Sequence, residues 1–125
     1  MASERSLDGS VVAVLDEPDE FRSWLEPIPD VDEIRTDLRR SADVVVAFFT
    51  RRAAFERRLD AMGRSIFPAG GLWICWPKKS SGVPTDITED VVREVALPTG
   101  LVDNKVCAVS DVWSGLRVVW RRELR

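Results

Sequence analysis

The chain contains no histidine and no tyrosine among its 125 residues. The first absence removes Ser-His-Asp and Cys-His triads, histidine general bases and nearly every catalytic zinc site. Only two cysteines are present, Cys75 and Cys107, too few to form a tetrahedral structural zinc site alone. Both lie inside apolar segments and read as small buried hydrophobes rather than reactive thiols or a disulfide. Long hydrophobic runs are missing as well: the longest, Val44 to Phe49, is six residues, against about 20 for a membrane-spanning helix. The start, Met1-Ala2-Ser3-Glu4-Arg5, lacks the basic and apolar regions of a secretory signal, so a cytoplasmic location is expected. Catalysis, if any, falls to carboxylates, lysines, hydroxyls or a bound cofactor, and the residues assign neither a cofactor nor a metal.

What is present suits one domain spanning residues 1–125, its first nine residues expected to be disordered. Hydrophobic residues make up 45% and charged ones 31%, a balance that sustains a packed core. The net charge of −3 argues against general nucleic-acid affinity. It is unevenly spread. Residues 1–34 hold two arginines against ten carboxylates, whereas residues 35–64 hold eight arginines against four carboxylates. Two solvated faces of opposite sign, or an arginine surface for an acidic partner, would both account for this.

Along the chain, apolar β-rich runs alternate with amphipathic stretches. Ser10 to Leu15 reads as a buried parallel strand, apolar on both faces. A short helix over Glu20 to Leu25 and a weaker strand over Val31 to Thr36 follow. Asp43 to Phe49 is the clearest strand. Phe55, Leu59, Met62 and Ile66 recur on one face of a helix with Thr50 as its expected N-cap. Leu72 to Trp76 is again a strand. Asp86 with Glu89 three residues on reads as a capping box for a helix with Ile87, Val91, Val92 and Val95 inside. An acid/base pair would show the same spacing. Val102 to Ser110 and Leu116 to Arg121 then form a terminal hairpin around Asp111 to Gly115. The alternation predicts an α/β fold: a Rossmann-like three-layer sandwich, its sheet mainly parallel with a C-terminal antiparallel hairpin.

The turn Phe67-Pro68-Ala69-Gly70-Gly71 before a strand, then helix and hairpin, resembles the second half of Rossmann-fold methyltransferases. That resemblance implies an S-adenosylmethionine fold. The first half departs from it, because Asp16-Glu17-Pro18-Asp19-Glu20 stands where the family has a glycine-rich cofactor loop. Asp37 could take the place of the family's ribose-binding acid. More closely, Leu72 to Lys79, Thr85 to Glu94, Gly100 to Val109 and Trp113 to Arg117 resemble a family of short bacterial proteins built on a domain of unknown function. That resemblance covers roughly residues 43–120 and implies no catalytic residue.

Ligands of open α/β sheets bind beyond the carboxyl ends of the strands. Arg51, Arg52, Lys78, Lys79, Ser80 and Ser81 are expected there with Asp86, as a candidate anion site. Asn104, Lys105 and Trp113 form a secondary candidate, with Gly115 expected at positive φ and Trp113 capping the core, stacking on a planar ligand or docking a partner. Trp73, Trp76 and Trp120 suit core or dimer contacts better than nucleic-acid stacking. The expected role is non-catalytic, binding a partner protein, a second copy or a small anionic ligand, with no nucleic acid and no membrane. The alternatives are an enzyme acting on an anionic substrate through Lys78 or Lys79 with Asp86, and a vestigial methyltransferase-like protein.

Overall fold

A computed structural model describes residues 10–16, 31–35, 38 and 41–125. Among these described residues six strands form one sheet: β1 (Ser10–Leu15), β2 (Val31–Arg35), β3 (Val44–Phe48), β4 (Gly71–Pro77), β5 (Leu101–Ala108) and β6 (Trp113–Trp120). Their order across the sheet is β2-β1-β3-β4-β6-β5. The pairs β1–β2, β1–β3 and β3–β4 are parallel. Both pairs made by β6 are antiparallel, as the hairpin reading requires.

Two helices connect the parallel half to the hairpin, α1 (Arg52–Ile66) and α2 (Glu89–Ala96). Phe55, Leu59, Met62 and Ile66, at helical spacing, are all buried. With Ile87, Val92 and Ala96 they pack on alternate strand residues, among them Leu15, Val45, Ala47, Leu72, Ile74, Leu116 and Val118. Each of the larger side chains among these, taken from water, contributes about 1.5–3 kcal/mol. This cluster holds helices and sheet together.

The opposite face of the sheet carries a smaller cluster of Val12, Val14, Phe48 and Cys75, with Val44, Val46, Trp73, Val109 and Trp113 half-buried beside it. The helix expected over Glu20–Leu25 lies outside the described residues, as do Glu17 to Glu20, Asp37 and the first nine residues. Sheet and one helical layer are what the described residues comprise.

Three readings of local structure are corrected. Helix α2 starts at Glu89, and its N-cap is Thr88, whose hydroxyl accepts a hydrogen bond from the Val91 N–H at 3.2 Å. Asp86 lies too far upstream to cap it. Helix α1 has Arg51, not Thr50, at its N-cap, and Arg51 supplies no side-chain bond. Gly115, expected at a turn with positive φ, lies inside β6, and among the described residues positive φ belongs to Asp16, Gly82 and Gly100. Its lack of a side chain has a packing reason. A Cβ there would stand 3.0 Å from Val109 Cγ2 and 3.2 Å from Trp73.

Candidate functional site

Strands β1 and β2 lead away from the centre of the sheet in one direction, and β3 and β4 in the other. The direction therefore reverses between β1 and β3, the place where open α/β sheets open a crevice beyond the strand ends. Asp16 closes β1 there, exposed and with φ of 56°. Aspartate is one of the few side chains that occupy this left-handed region at modest cost.

One strand over, the β3–α1 turn is tied to the loop before α2. Thr50 O accepts from Thr85 Oγ1 at 2.7 Å and from Asp86 N at 3.4 Å. Asp86 Oδ1 in turn accepts from the backbone N–H of Arg52 at 2.6 Å. A helix start leaves such N–H groups without partners, and Asp86 supplies across the fold what Arg51 does not. The carboxylate is thereby committed to α1.

Arg52 is also committed. Its guanidinium bonds Glu56 at 2.8 Å and Glu94 at 2.9 Å, and these bonds raise its pKa further. Arg51 is exposed beside a cleft of about 590 Å³ that Val83, Pro84 and Thr85 also line.

β4 ends at Pro77, and a turn of 3₁₀ helix, Lys79–Ser81, follows. Lys78 N–H donates to Val112 O at 2.7 Å. Ser81 Oγ donates to Lys78 O at 2.6 Å and accepts from Val83 N–H at 3.2 Å, so this hydroxyl shapes the loop. Gly82, at φ of 79°, ends the turn in the left-handed conformation that glycine adopts without penalty. Lys78 is half-buried, and Lys79 and Ser80 are exposed. Neither lysine forms an ion pair among the described residues.

Lys78 and Lys79 line a cleft of about 550 Å³ with Trp76, Ile87, Thr88, Glu89, Asp90 and Ser114. Two of its carboxylates face a compensating cation: Arg93 Nη1 lies 2.5 Å from Glu89 and 4.0 Å from Asp90. Arg93 Nε also bonds Asp103 at 2.9 Å, holding that carboxyl below its ordinary range. The candidate anion site drawn from the sequence omits Thr88, Asp90 and Ser114, and Glu89 enters the sequence reading only as the partner of Asp86. A threonine followed by two acids is itself a helix-start signal, but Asp86 competed for the same assignment.

The expected convergence is thus divided. Lys78 and Lys79 share one cleft, Arg51 and Asp86 line the other, and Arg52 and Ser81 are held by internal bonds. The secondary trio does not come together. Asn104 and Lys105 are exposed on edge strand β5, at a register shift, with Lys105 opposite Arg117. Trp113 lies at the other end of β6 opposite Pro77 and meets Phe48 edge-on, with ring centroids 5.0 Å apart.

No family model matches the chain, and no curated protein does. Solved structures do. Magnesium protoporphyrin IX methyltransferase from Synechocystis PCC 6803, with bound SAM, superposes at a TM-score of 0.60 and 11% identity, over 96% of this chain and 74% of that one. A SAM-dependent methyltransferase from Aquifex aeolicus gives 0.56 and 14%, over 94% and 86%. A ribosomal protein L11 methylase from Lactobacillus delbrueckii subsp. bulgaricus gives 0.57 and 11%, over 96% and 74%. At such identities the likeness is one of fold. The chain is an α/β domain with a methyltransferase-like fold.

Among the described residues no helix is long and apolar enough to cross a membrane.

Proposed function

We propose that this domain binds a small anionic ligand in the cleft over the carboxyl end of β4, without catalysing methyl transfer. The observation that carries this reading is the pair Lys78 and Lys79, lining a cleft of about 550 Å³ with no ion-pair partner among the described residues. Thr88 and Ser114 add hydroxyls, and the buried Trp76 gives the cleft an apolar wall. Two ammonium groups with hydroxyls lining the same cleft suit a phosphate or carboxylate.

The non-catalytic part rests on how the remaining groups are used. Asp86 caps α1, Glu89 pairs with Arg93, and burial pushes the Cys75 thiol up to about 12. A general base or nucleophile needs a free group with a suitable pKa.

Thermal denaturation with inorganic phosphate, pyrophosphate or S-adenosylmethionine tests the proposal. A ligand at a hundred times its Kd adds about 2.7 kcal/mol of stability. Pyrophosphate is expected to raise the melting temperature of the native chain, and of Lys78→Ala with Lys79→Ala much less. An equal rise in both would place the anion elsewhere.

A second reading, retention of S-adenosylmethionine binding, draws on Asp16. Its left-handed backbone ends β1 beside the reversal point of the sheet, where the methyltransferase resemblance expects glycine. Stabilisation by S-adenosylmethionine and not by pyrophosphate would favour that reading.

A further inference from the structure

We infer that Cys75 and Cys107 together hold a soft, closed-shell metal cation in line between two thiolates, on the sheet face opposite the helices. Gly115 of β6 is the register partner of Cys75 on β4 and of Cys107 on β5. Residues directly opposite one another share a face, so the two thiols flank a position that has no side chain. Cys75 Sγ lies 3.5 Å from where a Cβ on residue 115 would stand. Both cysteines line one slot of about 240 Å³, with Val46, Trp73 and Val109 as its other walls.

The spacing excludes the usual alternative. Two strand intervals place the Cα atoms about 9.6 Å apart, whereas a disulfide needs roughly 4.4–6.8 Å. Both cysteines are accordingly free. A cation with metal–sulfur bonds of about 2.3 Å spans about 4.6 Å between two sulfurs in line, a gap the side chains close over Gly115 once Val109 Cγ2 and the Trp73 ring, 3.0 Å and 3.2 Å from where a Cβ on residue 115 would stand, give way.

The walls decide which cation. They contain no carboxylate, amide or imidazole, so hard cations find no oxygen ligands, and two thiols cannot complete a tetrahedral zinc site. Cys75 is fully buried and the other walls are apolar, so net charge is unwelcome in the slot, and a divalent ion bound to both thiolates leaves none. On binding, two S–H bonds break, two sulfur–metal bonds form and two protons pass to solvent, with no change of oxidation state.

Titration of the full chain with mercury(II), in millimolar glutathione, tests the site through near-ultraviolet absorption, thiol counting and thermal melting. The expected result is one ion per chain, simultaneous loss of both reactive thiols and a melting temperature raised by several degrees, with zinc(II) without effect. Cys107→Ser, at the half-buried partner, is expected to weaken binding at least a hundredfold while its metal-free melting temperature stays close to that of the native chain. Two ions per chain bound independently, equal stabilisation by zinc(II), or unchanged affinity in Cys107→Ser would overturn the proposal. Pyrophosphate binding is expected to survive Cys107→Ser, so this site and the lysine cleft fail separately.

Discussion

Asp86 Oδ1 accepts a hydrogen bond of 2.6 Å from the backbone N–H of Arg52, thirty-four residues earlier in the chain. One carboxylate thus fastens the loop between β4 and α2 to the first turn of α1. It also lines the cleft beside Arg51, whereas the next residue, Ile87, lines the lysine cleft.

Replacing Asp86 by alanine is expected to cost about 1 kcal/mol, as the loss of a helix cap does, with a smaller loss for Asp86→Asn. Thr88→Ala is expected to cost a similar amount by uncapping α2. Because the two residues serve different helices, urea denaturation of the double variant should give nearly the sum of the single losses. If Asp86 and Thr88 acted on one helix, the losses would not add.

Trp113 meets Phe48 edge-on, an arrangement worth about 0.5–1.5 kcal/mol beyond burial alone. A double-mutant cycle with Phe48→Leu and Trp113→Leu should show a coupling in that range. A coupling near zero would mean that Trp113 is not seated on the sheet and is free to engage a ligand.

Asp103 is held below its ordinary pKa of 3.8, chiefly by its hydrogen bond to Arg93. A lowered folded-state pKa gives stability that is fully present above the ordinary value and is lost as pH falls through the folded value. Asp103→Asn is therefore expected to be less stable than the native chain at pH 7. The difference should shrink as the pH drops below about 4. Denaturant midpoints between pH 7 and pH 2.5 measure this, and a gap that widens in acid would reverse the sign.

The legible parts of the fold are those written in periodicity. Val44 to Phe48 is apolar throughout because β3 lies between β1 and β4. Phe55, Leu59, Met62 and Ile66 mark the buried face of α1 because α-helical spacing alone aligns them. Caps were less legible: Asp86-x-x-Glu89 has the spacing of a capping box, yet the N–H groups that Asp86 serves belong to another helix. No local pattern encodes a partner thirty-four residues away. The site was legible in part for the same reason. Strand ends brought Lys78 and Lys79 to the rim, while the pairing of Arg52 with Glu94 and the turn closed by Ser81 depend on tertiary placement. Trp113 was read as a turn residue because Ser114 and Gly115 follow it, but Gly115 serves close packing against Val109 and Trp73 inside β6.

The most direct measurement is calorimetric titration of pyrophosphate into the native chain, the Lys78→Ala/Lys79→Ala variant and an Asn104→Ala/Lys105→Ala control. One site per chain is expected, weakened at least tenfold in the first variant and unchanged in the control. Absence of binding to the native chain, or equal affinity in all three proteins, would contradict an anion site at the end of β4.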